Sequence, residues 1–295
     1  MKLIVEQRLE LLLSEAISNH ASDIHFNFSS QDNSIQFRTL HGLVHKTVRK
    51  ADLSLYHYLK FLAKLDLASS MKPQSGTFTF ILNNQEWVCR FSALETFSAK
   101  SGVLRILNLA KIESLDDVSL QKQLIDDIRT FLQKPHGLIL FSGSTGCGKS
   151  TTLFTALSEI KNKSIYTLED PIECLYHNMM QIQINEANQL DFEAGIKQLL
   201  RHDPDIIVIG EIRSPQEATS LIRTSLSGHM VCGTIHSASP TQTIQRLLDF
   251  GCHKDDLKMI DLNIVSQELI TVQQQRSAKL QILTHQEILE FFKQN

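Results

Sequence analysis

The chain has 295 residues, 42% hydrophobic and 21% charged, with a net charge of −3 and a pI near 6.5. That length and balance fit one large globular domain or two ordinary ones, and 6 prolines and 12 glycines argue against a long disordered segment. The acidic balance excludes a nucleic-acid binder that is basic over its whole domain, so no direct contact with nucleic acid is expected.

The first 23 residues, MKLIVEQRLELLLSEAISNHASD, place apolar residues at helical spacing, interrupted by Glu6, Arg8, Glu10 and Glu15. A signal peptide needs an uninterrupted apolar stretch, and a membrane-spanning helix needs about 20 apolar residues. Neither pattern is present, so the expectation is a cytoplasmic chain that meets a membrane only through a partner. Short β-rich runs follow at 23–26, 34–38, 76–81 and 86–91, with a helical stretch near 53–67 between them. They read as a β-meander with a few helices. The polar, acidic stretch from Ala110 to Ser119 reads as a hinge.

Beyond it the pattern changes. Gly137–Phe141 is a short continuous apolar run, suited to a buried parallel strand. Further strands are expected at 165–168, 205–210 and 230–235, with a helix over 149–160. Strands alternating with helices indicate an α/β core around a parallel sheet. Five cysteines, an odd number without a Cys-x-x-Cys pair, suit a reducing compartment and give neither a disulfide framework nor a zinc site.

Four motifs carry chemistry. The first is GSTGCGKS, residues 143–150: a glycine, four residues, then Gly-Lys-Ser. Its glycines let backbone N–H groups converge on phosphate oxygens, and the following helix adds its positive dipole end. Gly143, Ser144, Thr145, Gly146, Cys147, Gly148, Lys149, Ser150 and Thr151 are the nucleotide-binding candidates. Lys149 would reach the β- and γ-phosphates and Ser150 would ligate Mg²⁺. The second is the apolar run 206–209 ending in Gly210-Glu211. It delivers a carboxylate to the carboxyl edge of the sheet, where Glu211 can orient the attacking water. The third is Glu169-Asp170-Pro171-Ile172-Glu173, three carboxylates in five residues after a strand. Clustered acids call for a cation, which makes Glu169 and Asp170 candidates for Mg²⁺, directly or through water. On these residues alone, an acidic turn punctuated by Pro171 reads equally well. The fourth runs from Gly228 to His236, with His229 and His236 seven residues apart flanking a strand. His236, at the carboxyl end, is the better candidate for sensing the γ-phosphate.

Together these motifs resemble the secretion ATPase family that drives type II secretion and type IV pilus assembly. Thr167–Glu173 resembles its aspartate box, Leu200–Arg213 its Walker B segment, and Gly228–His236 its histidine box. Ala21-Ser22-Asp23-Ile24-His25 and Pro73-Gln74-Ser75-Gly76 resemble its N-terminal motifs. The resemblance covers about Leu12 to Leu269 and implies a RecA-like α/β core with a parallel-rich sheet over 113–295. It implies a smaller PAS-like α+β domain over 1–112, with ATP held between the two. Relatives of this kind form hexamers that use ATP and Mg²⁺ and work on a polytopic membrane platform protein. The implied catalytic set is Glu211, Glu169, His229 and His236, with Arg90 and Arg105 as arginine fingers. Many members carry a long extra N-terminal domain and a four-cysteine zinc insertion. With neither expected in this chain, the sequence is similar to the compact competence-pilus ATPases of Gram-positive bacteria. It departs from the family pattern in having Glu268 within Gln267-Glu268-Leu269, where Gln-Arg-Leu is usual. Ser214 stands where aspartate is common, and Arg38-Thr39-Leu40-His41-Gly42 replaces Arg-Ile-Asp-Gly.

Overall fold

The structure, a computed structural model, describes residues 4–39, 42–68, 71–107, 112, 114–184, 190–272 and 275–294. It divides into two compact units. One comprises Met1–Lys111 with Glu173–Leu175, and the other Ile112–Ile172 with Tyr176–Asn295.

The first unit is a six-stranded antiparallel sheet with two helices. Its strands are β1 (Asp23–Ser29), β2 (Asn33–Thr39), β3 (Gly42–Lys46), β4 (Gln74–Leu82), β5 (Gln85–Glu95) and β6 (Ala99–Ile106), in the spatial order β3-β2-β1-β6-β5-β4. Helix α1 (Ile4–Ser18) buries Leu9, Leu12, Leu13 and Ala16, one stripe at helical spacing. They join Leu55, Tyr56 and Leu59 of α2 (Asp52–Leu62) and the inward strand residues Ile24, Phe26, Ile35, Phe37 and Phe91 in one core. Tyr56 meets Phe91 edge to face, with centroids 5.4 Å apart. The helical stretch expected to reach residue 67 ends at Leu62. Lys64 turns to φ 56°, and the Ala63 N–H closes on Leu59 O. Arg8, an interruption of the apolar pattern in the sequence, is buried and forks onto Asp52 at 2.7 and 3.1 Å, tying the helices together. Strands β3 and β6 were not apparent in the sequence.

The second unit is a seven-stranded mixed sheet. Its strands are β7 (Gly137–Ser142), β8 (Ile165–Glu169), β9 (Met180–Gln183), β10 (Ile206–Ile212), β11 (Met230–Ile235), β12 (Leu262–Val272) and β13 (Gln275–Leu283). They lie in the order β13-β12-β7-β11-β10-β8-β9, parallel throughout except for the β12–β13 hairpin. Every residue of β7 and β11 is buried, which accounts for their unbroken apolar sequence. The helices are α3 (Lys122–Gln133), α4 (Lys149–Ser158), α5 (Phe192–Leu199), α6 (Pro215–Leu226), α7 (Pro240–Asp249), α8 (Lys254–Met259) and α9 (His285–Gln294). Ser214 caps α6: its hydroxyl accepts from the Glu217 N–H, and Glu217 reaches back to the Ser214 N–H. A serine does here what an aspartate would do.

The stretch expected to be a hinge is, over its described part, a fastened turn. Leu115 is fully buried in a 3₁₀ turn, Leu115–Asp117, and its N–H donates to Glu159 Oε1 at 2.8 Å. Arg129 holds the other Glu159 oxygen at 2.9 Å and reaches Asp116. Of the expected stretch, Ser114 and Asp116 enter this network, and the division between the two units falls within it, after Lys111.

Candidate nucleotide-binding site

Parallel pairing sends the carboxyl ends of β7, β8, β10 and β11 to one edge of the second unit's sheet. The loop 143–148 leaves β7 there and runs into α4. Gly143, Gly146 and Gly148 all have positive φ, at 149°, 75° and 90°. The crown Ser144–Gly146 is exposed, whereas Cys147 and Lys149 are buried. The Lys149 ammonium donates to Gly143 O at 3.0 Å and Ser144 O at 2.9 Å. Burial lowers its pKa below that of an ordinary lysine, with Cys147 and Glu211 acting in the opposite direction. Ser150 and Thr151 follow in the first turn of α4, both half-buried. A cavity of about 280 Å³ opens beside the loop, between Gly143, Ser144, Ala238 and the β12–β13 hairpin.

Glu211 owes its position to a break in the ladder. The register between β10 and β11 shifts between Ile209 and Ile212, so Gly210 and Glu211 leave regular pairing. Gly210 packs against β8: a Cβ there would lie 3.2 Å from Leu168 O and 3.3 Å from Glu169 Cγ. Thr234 Oγ1 donates to Gly210 O at 2.6 Å and fixes the bulge. The Glu211 carboxylate is held from two sides. His236 Nε2 lies 2.5 Å from Oε1, and Arg213 donates to Oε2 through Nε at 2.6 Å. Arg213 also stands 3.6 Å from Asp170.

Glu169, at the end of β8, is buried and accepts from Thr167 Oγ1 at 2.5 Å and Gln181 Nε2 at 2.9 Å. Asp170 beside it is exposed. Among the described residues no group of three or more His, Cys, Asp or Glu is arranged to hold a metal ion. The candidate donors Ser150, Glu169 and Asp170 are all hard oxygens and too few for a protein cage. Such a set fits Mg²⁺, which keeps several waters and is otherwise held by substrate phosphates.

His229 is set apart from these groups. It stands before the amino end of β11, with Nδ1 3.0 Å from Ser227 Oγ, while His236 follows the carboxyl end.

Arg90 and Arg105 belong to the first unit. Arg38, Asp23, Arg105 and Arg90 are successive cross-strand partners on β2, β1, β6 and β5, three guanidiniums and one carboxylate in a row. Arg105 Nε donates to Asp23 Oδ1 at 2.7 Å, and Ser22 Oγ donates to Asp23 Oδ2. His25 shares this face. Burial lowers its pKa, Asp23 pulls the other way, and Arg38 and Arg105 add to the lowering.

Two residues with structural claims on the site carried no role in the sequence reading. Arg213 was only a motif letter. Gln267 matched the family triplet, whose departure is at Glu268, and was given no role; it is buried against the loop: Nε2 donates to Cys147 O at 2.6 Å, and Oε1 accepts from Thr152 Oγ1 at 2.6 Å. Only the pairing of β12 with β7 brings it there.

A family model described as type II/IV secretion system protein matches residues 2–294. Competence protein ComGA of Bacillus subtilis (strain 168) is 35% identical over 271 residues, spanning 90% of this chain and 76% of that protein. ComGA of Halalkalibacterium halodurans is 38% identical over 278 residues, spanning 92% and 79%. Among solved structures, the Legionella pneumophila ATPase DotB superposes with a TM-score of 0.75 at 22% identity, over 98% of this chain and 84% of that one, a likeness of fold. With a family match over nearly its whole length, the chain belongs to the type II/IV secretion system protein family.

Proposed function

We propose that this ATPase of the type II/IV secretion system protein family powers assembly of a competence pilus, a type IV-like filament for DNA uptake. The observation that carries the reading is the 35–38% identity to two ComGA proteins over about nine-tenths of the chain. The clustering of Lys149, Glu169, Glu211 and His236 at one sheet edge supplies the chemistry.

In this reading the second unit is the RecA-like P-loop core and the first is PAS-like. The loop N–H groups and Lys149 bind the phosphates of ATP. Ser150, with Glu169 and Asp170 directly or through water, would hold Mg²⁺, which would supply charge neutralisation at the phosphate oxygens. Glu211 orients the attacking water and takes its proton, while His236 fixes the carboxylate that does so. Arg90 and Arg105 offset the charge developing in the transition state. Asp23 keeps the Arg105 guanidinium oriented by its Nε. The motor works as a homo-hexamer at the inner face of the cell membrane, turning its units against a polytopic platform protein. No described helix is long and apolar enough to cross a membrane; in this reading contact with the bilayer runs through that partner.

A general type II secretion or adhesive-pilus motor is the second reading, favoured by the breadth of the family match. A nucleic-acid motor of the same core is disfavoured by the net charge of −3. The test is Mg²⁺-dependent phosphate release by the purified chain across protein concentrations, with and without DNA. Specific activity that rises with concentration and ignores DNA is expected. Turnover only with DNA would overturn the reading.

A further inference from the structure

The glycines of the loop do more than leave room for a phosphate. A Cβ on Gly143 would sit 2.3 Å from the backbone oxygen of Gln267, and a Cβ on Gly148 would sit 2.9 Å from its Nε2. A Cβ on Gly146, at the crown, would meet nothing within 4 Å. The two outer glycines are thus shaped to Gln267. The register explains the approach. Ser142 pairs with Ser266 across β7 and β12, so the next residues on each strand, Gly143 and Gln267, are neighbours.

The amide of Gln267 is used at both ends. Its Nε2 donates to Cys147 O and its Oε1 accepts from Thr152 Oγ1, both at 2.6 Å. Thr152 Oγ1 also contacts Gly148 O, at 3.1 Å. In a planar trans peptide the C=O and the following N–H point in opposite directions. Drawing the Cys147 carbonyl toward β12 therefore turns the Gly148 N–H away from β12. The bond also removes a carbonyl oxygen, a partial negative charge, from the side an anion would approach.

We infer that Gln267 is a positioning residue for the nucleotide phosphates: it sets the Cys147–Gly148 peptide so that the Gly148 N–H faces the phosphate and the carbonyl does not. This rests on the reading of 143–150 as the ATP-binding loop. Glutamine is the side chain required, because one end must donate to a carbonyl while the other accepts from a hydroxyl. A glutamate of the same shape keeps the second bond and sets an oxygen against the Cys147 carbonyl in place of the first.

The experiment compares Gln267→Glu, Gln267→Met and Lys149→Ala with the unaltered 295-residue chain. It measures KM and kcat for MgATP, the Kd for a fluorescent ATP analogue, and the nucleotide-free Tm. Both Gln267 variants should raise KM and Kd about tenfold or more, as expected for losing a buried hydrogen bond to a site that must stay ordered, with kcat changed far less. Gln267→Met keeps the volume without either bond, so the test survives if the buried glutamate prevents folding. Unchanged KM and Kd in a folded Gln267 variant, whether or not Tm falls, would reduce the residue to a structural brace and overturn the inference. Lys149→Ala separates the two levels. If it abolishes binding while the Gln267 variants bind normally, only the inference fails. Wild-type affinity in Lys149→Ala removes the reading of the loop itself.

Discussion

His236 Nε2 lies 2.5 Å from Glu211 Oε1, joining the carboxyl ends of two neighbouring parallel strands. The bulge at Gly210 makes this possible, because it frees Glu211 from the ladder while His236 follows β11 in regular register. Glu211→Gln should keep nucleotide binding and lower turnover by about 10²-fold or more, the usual worth of a positioned general base. His236→Ala should lower kcat by less and leave Kd in place. Phosphate release measured beside analogue binding checks both, and full turnover in Glu211→Gln would remove its assigned role.

Arg105 is mostly exposed, yet its Nε is anchored on the buried carboxylate of Asp23. That leaves the rest of its guanidinium free to meet a phosphate. Arg90→Ala and Arg105→Ala should each cost about 10³-fold in kcat with binding weakened much less, as for an arginine finger. Asp23→Asn leaves the charge of Arg105 intact and loosens its aim, so a loss of up to about 10²-fold is expected. Unchanged rates in all three variants would take the first unit out of the chemistry.

Lys149 gives a pH dependence with a definite sign. In the proposed reading its charged form binds phosphate, and burial lowers its pKa in the nucleotide-free chain. As pH rises the free chain therefore loses this charge earlier than an ordinary lysine at 10.5 would, and nucleotide affinity should fall within the alkaline range. Lys149→Arg cannot lose its charge there and should bind with a flatter profile. Isothermal titration between neutral and alkaline pH measures it; parallel profiles for the two proteins would contradict the argument.

Gly143→Ala should destabilise the second unit by about 1–3 kcal/mol, since its new methyl would lie 2.3 Å from the Gln267 backbone oxygen and 2.6 Å from Cys147 Sγ, and the strand backbone cannot easily give way. Gly146→Ala at the open crown meets no atom and should cost less, limited to the strain of a positive φ. Denaturant melts of the two variants give the comparison.

Acid should loosen the fastened turn at 114–117. Burial alone would raise the Glu159 pKa, but the hydrogen bonds from Arg129 and the Leu115 N–H outweigh it and hold the carboxyl below its ordinary 4.5. A lowered carboxylate stabilises the fold above the unfolded value, and that stabilisation is lost as pH falls through the folded one. Glu159→Gln should flatten this dependence. At neutral pH it should melt lower by about 2–4 °C, the shift expected for about 1 kcal/mol in a unit of this size. Thermal melts of both proteins from neutral pH to below pH 4 test it.

The sequence by itself determined what depends on neighbours along the chain. The loop at 143–150, the buried runs of β7, β10 and β11, and the carboxylate at the end of β10 each write a local pattern. Period and turn chemistry read such patterns directly. Edge strand β3 was hidden because it buries little and so carries no clean alternation. Tertiary structure alone decided which distant groups meet. Gln267 reaches Cys147 from 120 residues away because β12 pairs with β7 in one register, and a slip of one residue would turn its side chain to the other face of the sheet. Arg8 looked like a break in an apolar helix until Asp52 supplied the buried charge that makes its position stable.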